Sequence, residues 1–285
     1  MIKKLLFGIL LLASACKAPE STESKSNDQA KKIITAGGTI SEIVHTLGFG
    51  DQIIATDITS TYPESMKSLQ SIGYRNQIKA EGILALGPDL VLIEEGYLNP
   101  DVLDQLVAAQ VNVQVFPKPQ TVEGTKKLVS EMALFFDAKA KGEEINAAID
   151  ADLAELDSYL RSQEQTPKAI FIMARGPETV FIAGDKTFAK EMFNLAKIDC
   201  PATGFDEFAP LTPESLVSMN PDYLVFFDSG IQSVGGKEGL VKIQGIEQTT
   251  AFTENQIVAL DGHYLSGFGP RVGKAALDLA KAVRQ

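Results

Sequence analysis

Two phenols and a guanidinium sit close together in DITSTYPESMKSLQSIGYRNQIKAEG, Asp57 to Gly82, a stretch too polar to be core. Thr61-Tyr62-Pro63 follows the strand-like run QIIATD, so in an open α/β sheet it falls at the carboxyl end of a strand, where such folds place ligands. Tyr74 and Arg75 stand side by side shortly after. The tyrosines either face one edge of a cleft or cover surface, and the residues alone leave both readings open. Other reactive constellations are sparse. The two histidines, His45 and His263, are far apart, and no H-E-x-x-H, C-x-x-C or G-x-S-x-G occurs. AGGTISE, Ala36 to Glu42, is a glycine turn before a helix that could take an anion, but it lacks the spacing of a dinucleotide or phosphate loop. A secreted α/β hydrolase-like enzyme using Ser60 or His263 is the reading from another class, and it has no motif behind it.

With 26 basic and 37 acidic residues the chain carries a formal net charge of −11, which repels nucleic acid and anionic membrane surfaces. MIKKLLFGILLLASAC has the charged start, short apolar run and small-residue end of an export signal, too short for a permanent span. A cysteine directly after LASA resembles the lipobox of bacterial lipoproteins, with Cys16 as the lipidated first residue of the mature chain. Cys200 is the one other cysteine, so no disulfide framework exists, and the count favours Cys16 as an anchor. The expected organisation is a signal at 1–15, a Ser/Glu/Lys-rich tether at 16–30, and a folded body beyond.

Within that body, strand-like and helical patterns alternate. KIITAGG, QIIATD, the second half of AEGILALGPDLVLIEEG, and VNVQVFP read as strands separated by helices, an α/β lobe with a parallel sheet over 31–120. Residues 121–164 hold apolar residues at helical spacing without proline, a linking helix or two joined ones, with Gly142 as the interior interruption. The alternation restarts over 165–285. EGILALGPDLVLI from Glu81 and ESLVSMNPDYLVF from Glu214 share glutamate, helical turn, Pro-Asp and buried strand at matching offsets, which points to duplicated topology.

An exported protein with two Rossmann-like α/β lobes on a long backbone helix resembles the class III substrate-binding proteins of metal-chelate and cobalamin ABC importers. DITSTYP, GYRNQIKAEGILALGPDLVL, SVGGKEGL and GFGPRVGKAALDLAKAV are similar to its heme-carrying branch, the HmuT-like, hemin-binding periplasmic proteins. The resemblance covers the chain from Ile33 onward.

That resemblance implies a monomer outside the cytoplasm, in the periplasm or cell envelope, that captures ferric heme between its lobes, hands it to a membrane permease and catalyses nothing. It implies Tyr62 as the iron ligand, Tyr74 standing in reserve, because a phenolate is a hard anionic donor suited to ferric iron. Arg75 or Arg271 would lower the phenol's pKa or pair with the heme propionates. Related proteins place a histidine on the second lobe's first strand-end loop, where IMARG holds Met173 and Arg175. Arg175 is therefore expected over the porphyrin or a propionate, with His263 as the alternative second ligand and Phe268 as a cleft wall. Glu81 and Glu214 match acidic residues that salt-bridge permease arginines, and each also suits the first turn of a helix. A siderophore or cobalamin carrier is the alternative on the same fold.

Overall fold

Short apolar runs build two five-stranded sheets in a computed structural model that describes residues 31–284. The export signal, the tether and Cys16 expected at positions 1–30 lie outside the described residues. The first sheet contains β1 (Ile33–Ala36), β2 (Ile53–Thr56), β3 (Gln70–Ser71), β4 (Leu90–Glu94) and β5 (Val113–Phe116). Its order is β3-β2-β1-β4-β5 and every pairing is parallel. The second contains β6 (Ala169–Ala174), β7 (Val180–Ala183), β8 (Phe208–Pro210), β9 (Tyr223–Phe227) and β10 (Ile257–Leu260), in the order β10-β9-β6-β7-β8. β1 and β4 are buried along their whole length and β6 and β9 almost so, as strands covered on both faces must be.

The second sheet departs from an all-parallel plan. β6 pairs antiparallel with β7, and β7 with β8. The cause is the short turn after β6, closed by Arg175 N–H donating to Thr179 O at 2.9 Å with Gly176 in the left-handed region. A link that short permits only an antiparallel return.

The duplicated Pro-Asp pairs do the same work in both sheets. Asp89 Oδ2 accepts from Lys32 N at 2.8 Å, and Asp222 Oδ2 accepts from Lys168 N at 2.9 Å. Each aspartate thus ties the start of its own strand, β4 or β9, to the residue entering β1 or β6. The shared punctuation of the two segments is a shared hydrogen bond.

Residues 121–163 form two helices, Val122–Phe135 and Lys139–Arg161. The break falls at Asp137, whose φ of 52° ends the first helix, and Gly142 lies inside the second. Gly142 is a packing glycine: a Cβ there would stand 2.4 Å from the Ala133 Cβ. The closing helix, Val272–Ala282, packs on Lys139–Arg161, and these helices share one buried apolar cluster with both sheets. That cluster holds the sheets in fixed relation. Where they meet, their strand ends make the site.

Candidate functional site

Carboxyl ends of strands from both sheets line one cavity of about 770 Å³. The first sheet supplies Tyr74 and Arg75 after β3, Glu94 and Tyr97 at and beyond the end of β4, and Lys118 after β5. The second supplies Met173 and Arg175 around the end of β6, Phe227 from β9, and His263 after β10. Open α/β sheets bind ligands at such ends because the connecting loops can diverge there. A hollow of about 510 Å³ adjoins it, sharing Tyr74, Arg75, Lys118, Arg175 and Phe227 and adding Lys186, Phe188 and Phe208. Phe188 and Phe227 stack with centroids 5.5 Å apart. The result is an aromatic wall beside four cations, in a volume suited to a small molecule. A third hollow, about 660 Å³, is lined by residues 163–167 and Arg284, whose guanidinium donates to the carbonyls of Ala196 and Lys197. That group is closing the chain end rather than awaiting a ligand.

Tyr74 and Arg75 reach the cavity through unusual backbone. Gly73 has φ 105° and Arg75 has φ 35°, so the chain turns sharply after β3. A left-handed arginine is disfavoured by its Cβ, and such residues concentrate where a side chain must be aimed. The Arg75 guanidinium carbon lies 5.0 Å from the centroid of the Tyr97 ring. Tyr97 in turn donates its hydroxyl to Asp57 Oδ2. Asp57 is 2% exposed and also accepts from Gly37 N, Thr59 N and Ser60 Oγ, each at 2.8 Å. Burial, reinforced by the Asp57 charge, pushes the Tyr97 phenol far above its ordinary pKa, so it remains a neutral donor. Ser60 is itself 3% exposed and tied to Asp57 and Ser41, which leaves it no access to a substrate.

A second buried carboxylate joins the two sheets' elements. Glu42, on the helix Gly38–Val44, accepts from Arg271 Nε at 2.8 Å and Nη2 at 2.9 Å, and its Oε2 lies 3.0 Å from His263 Nε2. Burial alone would raise its pKa, but the hydrogen bonds from His263 and Arg271 hold it below the ordinary value. Glu94, buried in the cavity wall, goes the other way. Desolvation raises its pKa, only partly countered by Lys118, whose Nζ is 4.0 Å away.

The structure brings Tyr74, Arg75, Arg175 and His263 to the cavity and, among the described residues, places the other candidates elsewhere. Tyr62 is outside the lining of both hollows; its 41% exposed ring lies under the Arg271 guanidinium, 3.5 Å from carbon to centroid. Arg271 is sandwiched between that ring and Tyr264 at 4.9 Å, committed to Glu42. Phe268 corrects the sequence reading. It is 2% exposed in the core with φ 49°, not a cleft wall, and its carbonyl accepts from Thr125 Oγ1 at 2.7 Å. The left-handed turn of the Gly-Phe-Gly-Pro segment swings its ring inward. His263 touches the cavity, but its Nε2 is engaged by Glu42 and its ring is wedged where a Cβ on Gly38 would stand 2.8 Å from Nδ1. Glu81 and Glu214 are exposed in the first turns of the helices Ala80–Leu84 and Pro213–Met219, and among the described residues neither has an ion-pair partner. Cys16 lies outside the described residues.

Sequence reasoning missed Glu42, Asp57, Glu94, Tyr97 and Lys118. A signal existed for Glu42: it is the one charge, between Ile40 and Ile43, in the otherwise uncharged helix Gly38–Val44. Tyr97 offered none, since a tyrosine after a strand is common.

Two α/β sheets clamped by packed helices, with the cleft between their carboxyl ends, define the fold of a class III substrate-binding protein. The chain belongs to the periplasmic binding protein family, whose model matches residues 33–264. Among solved structures it is similar to the apo form of the periplasmic heme-binding protein RhuT from Roseiflexus sp. RS-1, with 35% identity, a TM-score of 0.85, and coverage of 89% of this chain and 98% of that one. Among curated proteins it is 24% identical over 258 residues to an uncharacterised ABC transporter substrate-binding lipoprotein of Bacillus subtilis, YvrC, covering 90% of this chain and 80% of the relative. It is 26% identical over 262 residues to a vitamin B12-binding protein of Yersinia pestis, covering 88% and 86%. Among the described residues no helix is long and apolar enough to cross a membrane.

Proposed function

We propose that this protein binds heme outside the cytoplasm and delivers it to an ABC importer, without catalysing a reaction. The observation that carries the reading is Tyr74 beside Arg75 and Lys118 in the cavity lining from the first sheet, with Arg175 and the ring of Phe227 in the lining from the second. A flat apolar macrocycle suits the aromatic wall, and its two carboxylates suit guanidinium and ammonium groups at the rim. The likeness to RhuT, named as heme-binding, supports the same ligand class.

Of the two loop tyrosines, Tyr74 is the better ferric ligand. It lines the cavity beside Arg75, Lys118 and Arg175, where a bound iron would be within reach of the ring's oxygen. Tyr62 instead covers Arg271. His263 is held by Glu42, so the iron site rests on a single phenolate, with Met173 and Arg175 on the opposing wall. Glu81 and Glu214 are the permease contacts: both are exposed, and they occupy matching positions in the two duplicated segments. Cys16 carries the lipid, in keeping with the lipoprotein name of the Bacillus relative.

The test is a hemin titration followed by absorption. Tyr74→Phe should change the ferric spectrum and weaken binding by about tenfold or more, about 1.4 kcal/mol, and Tyr62→Phe should match wild type. Equal spectra and affinities for wild type and Tyr74→Phe would overturn the ligand assignment. The name of the Yersinia relative favours cobalamin as a second reading. A cobalamin carrier would show tight cobalamin binding that Tyr74→Phe leaves intact.

A further inference from the structure

We infer that Tyr97 is a positioning residue that makes Arg75 selective for the ligand's carboxylates; the inference rests on the heme reading above and concerns one cation of the same cleft. Arg75 enters the cavity from a backbone with φ 35°, and among the described residues no ion pair holds its guanidinium. What lies against it is the face of Tyr97, 5.0 Å from guanidinium carbon to ring centroid. A cation over a ring is attracted to the quadrupole, and a guanidinium laid against a face keeps its N–H fork free at the edge. An arginine salt-bridged to protein would have spent that fork. One resting on a ring can offer two parallel donors to a carboxylate.

The ring is itself immobilised from below. Its hydroxyl is fixed by Asp57 and by Thr59 Oγ1, 2.8 Å away, and its own backbone N–H donates to Glu94 O at 3.0 Å. Asp57 keeps donors from Gly37, Thr59 and Ser60 whatever Tyr97 does. The order of support runs from Asp57 to the hydroxyl, from the ring to Arg75, and from Arg75 to the ligand. Two buried carboxylates stand at strand ends of the first sheet, Glu94 closing β4 and Asp57 following β2. By binding the Tyr97 hydroxyl, Asp57 is occupied without touching Arg75, so the cation stays available to an incoming anion.

Two ligands separate this from a merely structural role: hemin, and hemin with both propionates methylated. Wild type should bind hemin about tenfold or more tighter than the ester, the scale of a charge-assisted hydrogen bond. Tyr97→Leu should bring that ratio down to the ratio of Arg75→Leu while leaving ester affinity within about threefold, and Arg75→Leu/Tyr97→Leu should lose no more than Arg75→Leu. Tyr97→Phe, which keeps the ring, should restore most of the ratio. Equal weakening of both ligands in Tyr97→Leu, or additive losses in the double variant, would overturn the inference. A ligand-free readout runs alongside. The Arg75 Nε–H proton should carry an upfield ring-current shift in wild type that disappears in Tyr97→Leu, and its absence in wild type overturns the platform. If wild type binds neither porphyrin, the heme reading fails while the ring-current shift still judges the platform.

Discussion

Replacing Glu42 with glutamine should show how much the buried ion cluster contributes to joining the two sheets. Glu42 is 2% exposed, and residues from two distant segments, His263 and Arg271, converge on it. Removing one partner of a buried pair typically costs about 3–5 kcal/mol, because the other charge is stranded. Here the loss is smaller, since Arg271 is 23% exposed and stays between two aromatic faces, and glutamine can still accept one hydrogen bond. About 2–3 kcal/mol is expected, and Glu42→Ala, which also opens a cavity, should cost about 3–5 kcal/mol. For a body of this size each kcal/mol moves the midpoint by about 2–4 °C, so Glu42→Gln should melt roughly 5–10 °C lower. The pH dependence has a defined sign. Because the folded-state pKa of Glu42 lies below its ordinary 4.5, the stabilisation is complete above that value and is lost as pH falls through the folded pKa. The gap between wild type and Glu42→Gln in calorimetry should therefore be full at pH 7 and shrink as the pH falls below 4.5. A Glu42→Gln midpoint within about 1 °C of wild type at pH 7, or a gap unchanged at pH 3.5, would refute the reasoning. A cycle with Arg271→Gln gives a second check, since strict additivity would mean the two groups are not coupled.

Phe268→Ala should lower unfolding stability by about 3–5 kcal/mol in denaturant titration while shifting the heme spectrum little, because the ring fills core and does not face the cleft. Glu81→Lys and Glu214→Lys should each leave stability within about 0.5 kcal/mol, since exposed side chains without partners contribute little. Hemin affinity should be unchanged in both. Heme-dependent growth through the importer should fall, and undiminished growth in the double variant would remove the docking role. Cys16→Ser should move the protein from the membrane fraction to the soluble fraction of expressing cells; continued membrane association would point to another tether.

The alternation of strand and helix, the largely apolar runs of β1, β4, β6 and β9, and the repeated Pro-Asp punctuation were legible because each is a local consequence of burial or backbone geometry. So were the helical spacing over 121–163 and the polar, tyrosine-bearing loop after β2. Local pattern fails at β3 and β8, which are two and three residues long and have no period to read. It fails too at the antiparallel return of β7, where turn length rather than strand composition chose the direction.

Which side chains face the cleft was decided by tertiary structure. Tyr62 and Tyr74 lie on the loops either side of the two-residue β3 and are chemically alike, yet Arg271, 209 positions beyond Tyr62 in the chain, draws one ring away. The other is left on the cavity wall by a turn whose geometry depends on Gly73. Phe268 looked like a cleft residue for its motif and became core for its left-handed backbone. Glu42, His263 and Arg271 form a cluster only because the sheets are packed together. The sequence by itself determined which segments become strands and helices and where the Pro-Asp punctuation repeats, since those follow from neighbours along the chain. The choice of ligand-facing groups followed from long-range charge pairing and ring packing, which have no expression in local spacing.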